Sequence, residues 1–161
     1  MAKPADAATR WITRERPKVD RIACPWLIKR FIDPAAEFLY VPAAEVKARA
    51  AAANAIAYDV ADSTFTHDGP DCSFDAFIAA HRLDDPALQK LAAIVRGADT
   101  GRPDLAPEAA GLLAVSLGLS RMHRDDLVQL ETGMTLYDAF YRWARDAADE
   151  THNWPTPGKP V

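Results

Sequence analysis

Apolar and polar positions along this chain recur in short stretches that mark one element after another. From Pro25 to Ile32 the run Pro-Trp-Leu-Ile-Lys-Arg-Phe-Ile has the spacing of an amphipathic helix. Proline is tolerated at the first helical position, where its missing N–H has no partner to lose, so Cys24 is predicted as the N-cap. Asp33-Pro34 breaks that helix, and Ala36 to Pro42, rich in aromatic and β-branched residues, predicts a strand. A run of alanines from Ala43, closed by Asn54, predicts the next helix. Strands are then expected at 55–60 and at 63–67, the second ending in the turn Asp68-Gly69-Pro70-Asp71. Beyond that turn the pattern is helical: Ser73 caps a helix to about Arg82, Pro86 starts one that Gly97 stops, and Pro107 starts one to about Leu117. Residues 121–148 read as one long helical pattern interrupted at Gly133, either a kink or a close helix contact.

Three short strands followed by helices predict an α+β fold, a small three-stranded sheet with helices packed on one face and a helical C-terminal half. Its organisation reads as a flexible N-terminus over 1–10, a single domain over 11–150 and an irregular, proline-rich tail over 151–161.

Composition changes this picture little. A chain of 161 residues, 49% hydrophobic and 26% charged, has enough core to fold unaided, burying roughly 68–70% of its unfolded surface. Residues 1–9 hold no apolar signal region and no apolar run approaches the ~20 residues of a membrane span, so a cytoplasmic protein without a membrane partner is expected. The two cysteines, Cys24 and Cys72, then read as free thiols or ligands rather than a disulfide. Charge is uneven: residues 1–30 carry eight Lys/Arg against three Asp/Glu, a net of +5 in a chain whose total is −4. That balance predicts no direct nucleic-acid binding by this domain but allows a local anion site near its start.

Two constellations carry candidate chemistry. In the first, Arg14, Arg16 and Lys18 fall on one side of the chain if it is extended, and Arg21 and Cys24 follow at the predicted helix mouth. Guanidinium forks match tetrahedral oxyanions, and the positive end of a helix lowers a thiol pKa. Arg14, Arg21, Cys24 and Arg96 are therefore candidates for oxyanion binding, and Cys24 is the candidate should the domain be catalytic; the alternative is a solvated basic run, with Arg96 compensating its own helix end. Cys24-x₅-Arg30 formally matches a phosphatase loop, but Pro25 and the bulky residues after it suit a helix and not an open anion cradle. The second constellation is His67 and Cys72 around the Gly69-Pro70 turn, where imidazole and thiolate suit zinc, iron or manganese. Further ligands are sought at Asp59, Asp75 or the acidic face carrying Asp125, Asp126 and Glu131; Glu131 lies about 140° round a helix from Asp126. Equally, the turn is an ordinary one, with Cys72 a small buried residue beside the Ser73 cap. His81, His123 and His152 read as surface or cap residues.

Four runs in order carry a resemblance: Val19-Asp20-Arg21-Ile22-Ala23-Cys24-Pro25-Trp26 through Asp33; Phe65-Thr66-His67-x-Gly69-x-x-Cys72-x-Phe74-Asp75; Ile94-Val95-Arg96-Gly97-Ala98-Asp99; and Asp125-Asp126 through Leu130-Glu131-x-Gly133-Met134 to Tyr137-Asp138 and Trp143. Together they resemble the C-terminal domain of the chromate-resistance ChrB family, over Trp11 to about Trp154. The resemblance implies a role in responding to chromate, with chromate or a related oxyanion as ligand and a regulator or sulfurtransferase domain as partner. Three readings follow. The domain senses or handles chromate or chromium at an oxyanion or metal site; it is a metal-dependent redox enzyme that removes superoxide or reduces chromate; or it is a non-catalytic interaction module.

Overall fold

The computed structural model describes residues 9–152; residues 1–8 and 153–161, which include most of the expected N-terminal segment and tail, lie outside the described residues. Strand β1 (Arg10–Arg14) is the centre of a parallel three-stranded sheet, flanked by β2 (Glu37–Val41) and β3 (Ile56–Ala57). Between them run α1 (Asp20–Leu27), which continues as a π-helical turn over Ile28–Ile32, and α2 (Val46–Ala53). The rest is helical: α3 (Ser73–Ala80), α4 (Pro86–Asp99), α5 (Ala109–Met122) and α6 (Asp126–Asp146). The architecture is α+β with a helical C-terminal half.

Successive side chains of β1 point to opposite faces and both faces are buried. Trp11 enters the main core with Trp26, Phe74, Phe77 and Tyr137, whereas Ile12 joins Val41 and Val46 under α2. The helices therefore cover both faces of the sheet, not one as expected, since a parallel strand reached by crossover connections is covered on each side. The third strand is also not where the pattern put it. Residues 63–67 are a loop touching the sheet through one bridge, Tyr58 to Phe65, while the basic run 10–14 is the central strand.

The N-terminal end of α1 departs furthest from expectation. The helix starts at Asp20, so Cys24 and Pro25 lie inside it rather than at its mouth. Proline at this position removes the N–H that would bond the Arg21 carbonyl. That carbonyl instead accepts from the Tyr40 hydroxyl on β2, at 2.5 Å. A side chain brought from another element thus satisfies what the helix lacks.

Glycines expected to interrupt helices are sites of close approach. A Cβ on Gly97 would stand 2.8 Å from the Ala109 Cβ and 2.8 Å from the Arg102 carbonyl oxygen, so α4 continues through it to Asp99. On Gly133 a Cβ would meet Ile22 Cγ2, so of the two readings of that glycine the close contact is present, with α6 lying against α1. The break in the C-terminal pattern comes at 123–125, where the Asp125 side chain caps α6 by accepting from Leu127 N–H at 2.9 Å. At α3 the cap is Cys72 rather than Ser73, and the Asp75 carboxylate accepts from the Cys72 N–H at 3.0 Å.

Candidate functional site

The carboxyl ends of β1 and β3, the start of α1, the start of α3 and the end of α4 converge on one cluster. Asp20, in the first turn of α1, is only 2% exposed. Its carboxylate accepts from the backbone N–H groups of Ser73 (2.7 Å) and Phe74 (3.2 Å) at the start of α3, and from the Cys24 thiol (3.5 Å). Its own N–H donates to Asp99 Oδ1 at 3.4 Å. Asp59, just beyond β3, adopts a left-handed φ of 50°; it accepts from the Ser73 hydroxyl at 2.8 Å and pairs with Arg14 at 3.3 Å and Arg21 at 3.5 Å.

His67 closes the cluster from the loop. Its Nε2 lies 3.1 Å from Asp99 Oδ2, 3.3 Å from Asp59 Oδ1 and 3.6 Å from Asp20 Oδ2, with the side chain 42% exposed. One donor atom each from Asp20, His67 and Asp99 falls within 4.8 Å of the others, the spacing at which one ion can be shared. Oxygen, oxygen and imidazole nitrogen form a hard-to-borderline set suited to a divalent first-row ion such as manganese, iron or zinc.

The electrostatics favour a cation. Burial, and then the neighbouring charges of Asp99 and Asp59, push the Asp20 carboxyl well above the usual range despite its backbone hydrogen bonds. Asp99 is raised for the same reasons, burial first and Asp59 second, with His67 acting the other way. Carboxylates crowded in low dielectric repel one another, and a bound cation relieves that repulsion.

Of the residues expected to bind an oxyanion, Arg14 and Arg21 meet at Asp59 and Cys24 lies behind Asp20, while Arg96 stands apart on Asp75. Arg21 spends its fork on the backbone carbonyls of Arg14 (2.6 Å), Glu15 (2.7 Å) and Arg16 (3.3 Å), and burial lowers its pKa. Arg96 grips Asp75 through two bonds of 3.0 and 2.7 Å. Arg16 turns away with φ of 56° and caps the Asp126 side chain through its N–H at 2.9 Å, so Arg14, Arg16 and Lys18 do not share one face. Arg30 pairs with Asp138 at 2.8 Å. Cys24 is fully buried, and burial together with the charge of Asp20 raises its pKa well above that of a free thiol, the opposite of the shift expected at a helix mouth.

Of the expected metal ligands, His67 joins the cluster, and Asp59, weighed as a further ligand, lies 3.3 Å from it. Cys72 is buried beneath the α3 cap, where its thiol donates to Asp75 at 3.2 Å and its pKa is raised, chiefly by burial. Asp126 is engaged by Arg16, and Glu131 stands exposed on α6. Asp59 was among the candidates weighed; Asp20 and Asp99 were not, although both sit in the runs that carried the resemblance.

A family profile described as "ChrB, C-terminal domain" matches residues 11–144. The chain belongs to that family. Protein ChrB of Cupriavidus metallidurans is 39% identical over 133 residues, covering 81% of this chain. The chain spans 39% of the length of that curated relative. No solved structure matches this ChrB-family domain. Among its described residues no helix is long and apolar enough to cross a membrane.

Proposed function

We propose that this ChrB-type domain serves chromate resistance in the cytoplasm as a metal-responsive unit, holding a divalent transition-metal cation (zinc, iron or manganese) between Asp20, His67 and Asp99. The observation that carries the reading is the meeting of two buried or nearly buried carboxylates and an imidazole within 4.8 Å, with Asp59 alongside. Chromate itself is a dianion. It would meet three carboxylates, while the nearest cations, Arg14 and Arg21, already face Asp59. The site therefore suits a cation, including a reduced form of chromium, better than the oxyanion.

Thiol chemistry has no support at this site, because both cysteines are buried and held protonated. A second reading, metal-centred redox catalysis, is favoured by the partial exposure of His67, which leaves one side of the cluster open to a small molecule. Metal analysis of protein purified without chelator tests the main proposal. One equivalent of a divalent metal in the wild type, lost in Asp99→Asn, is expected; metal-free protein that takes up none on dialysis against zinc, iron or manganese would refute it. Superoxide and chromate assays on the loaded protein then separate catalysis from sensing.

A further inference from the structure

Beside the metal cluster lies a cavity of about 590 Å³ that the proposed metal chemistry leaves unused. It sits on the α2 side of the sheet, at the carboxyl ends of β1 and β3. Its apolar wall comes from Val46, Ala50, Ala57 and Val60. Arg14 and Lys47 supply cations to the same walls, and His67 and Asp59 join it to the cluster. We propose that this cavity binds a small amphipathic organic anion, a carboxylate or sulfonate with an apolar body, distinct from any metal held next door.

Size, lining and charge each support that class. Clefts of about 300–1,000 Å³ with mostly apolar walls and a few convergent polar groups are characteristic of small-molecule sites. The apolar wall is made of small residues, Ala50 and Ala57 among them, so the space beside the sheet is left open instead of being filled by the protein's own side chains. Lys47 is exposed and its ammonium group makes no ion pair or hydrogen bond among the described residues. Arg14 uses one of its guanidinium donors on Asp59, at 3.3 Å, and keeps 45% of its side chain exposed, so the rest of its fork remains available to a bidentate anion. Asp59 is already met by Arg14, Arg21 and the Ser73 hydroxyl, so its charge is answered within the protein. Asp62 is the carboxylate on the cavity wall that would favour a cation instead, which makes the sign of the ligand the point to test.

The probe is 8-anilinonaphthalene-1-sulfonate, an amphipathic anion that fluoresces on leaving water, titrated into the full chain in the presence of EDTA so that the metal proposal can fail without affecting the result. Saturable binding of one probe per chain is expected. Lys47→Met should weaken it about tenfold, the effect of losing roughly 1.4 kcal/mol of contact. Ala50→Trp, which fills the cavity, should abolish it, and thermal melting of both variants checks that they fold. Should Ala50→Trp not fold, Lys47→Met carries the test, since its side chain is exposed. Benzoate should displace the probe, whereas benzamidine, of the same shape and opposite charge, and inorganic sulfate should not. Binding that does not saturate, or that neither variant changes, would overturn the proposal by placing the probe elsewhere, for instance on the exposed Val115, Leu117 and Met122 of α5. Displacement by benzamidine would reverse the ligand's charge, and displacement by sulfate would remove the apolar requirement; either outcome also overturns it.

Discussion

His67 Nε2 stands 3.1 Å from Asp99 Oδ2, although one residue rides on an irregular loop and the other ends helix α4. The contact depends on α4 running on through Gly97, where a Cβ would stand only 2.8 Å from that of Ala109. Had the helix stopped at that glycine, Asp99 would not reach the cluster.

Metal addition should stabilise the native protein. At a free metal concentration one hundred times the dissociation constant, native-state binding adds about 2.7 kcal/mol. For a chain of this size that corresponds to a rise in Tm of roughly 5–10 °C. Differential scanning fluorimetry with zinc, manganese and iron(II) measures it. His67→Ala and Asp99→Asn should each lose the shift, and a full shift in either variant would remove that residue from the site.

The metal-free protein should become less stable as pH rises from about 4 towards neutrality, through Asp20 and Asp99. Both have folded pKa values raised above the ordinary 3.8, so the native state holds more protons than the unfolded state in that window. Stability falls with rising pH wherever the native state binds more protons. Asp85 and Asp138 are lowered, by their hydrogen bonds to Tyr141 and to Arg30 respectively, and so act in the opposite sense at more acidic pH, below 3.8. Urea unfolding in EDTA across that range should show a slope that Asp99→Asn flattens. An unchanged slope would mean that Asp99 does not contribute. Metal affinity should rise with pH, because the ion must displace those protons.

Neither cysteine should react in the native state. Cys24 and Cys72 are buried, and burial holds both thiols protonated. A disulfide-exchange reagent at mildly alkaline pH should find almost no thiol until denaturant is added, and then two per chain. Rapid labelling of Cys24 in the folded protein would restore it as a candidate catalytic residue.

Gly133→Ala should destabilise the protein without touching the site, because the new methyl would meet Ile22 Cγ2 at 2.4 Å in the packed seam between α1 and α6. Overpacking of this kind costs about 1–3 kcal/mol. Combining it with Ile22→Ala, which removes the opposing methyl, should cost less than the two single changes added together. Strict additivity in urea unfolding would show that the two residues do not compete for space.

Spacing located most helices, the β2 strand and the Asn54 cap, because caps, turns and apolar periodicity act over a few residues and are written locally; the family was carried by the resemblance of four residue runs. His67 was legible as a candidate for the same reason, standing beside a Gly-Pro turn among polar residues. The rest of the site was decided by tertiary structure. Asp20, Asp59 and Asp99 come from separate segments, and only the docking of α1, α3 and α4 brings their carboxylates around one imidazole. The same docking buried Cys24 and Cys72, turning two apparently reactive thiols into core residues. It also let Pro25 lie inside a helix, because Tyr40 on a neighbouring strand takes the carbonyl that proline leaves unbonded. Local propensity carries no information about partners so distant in sequence, and for that reason the charges that define this site emerged only with the packed fold.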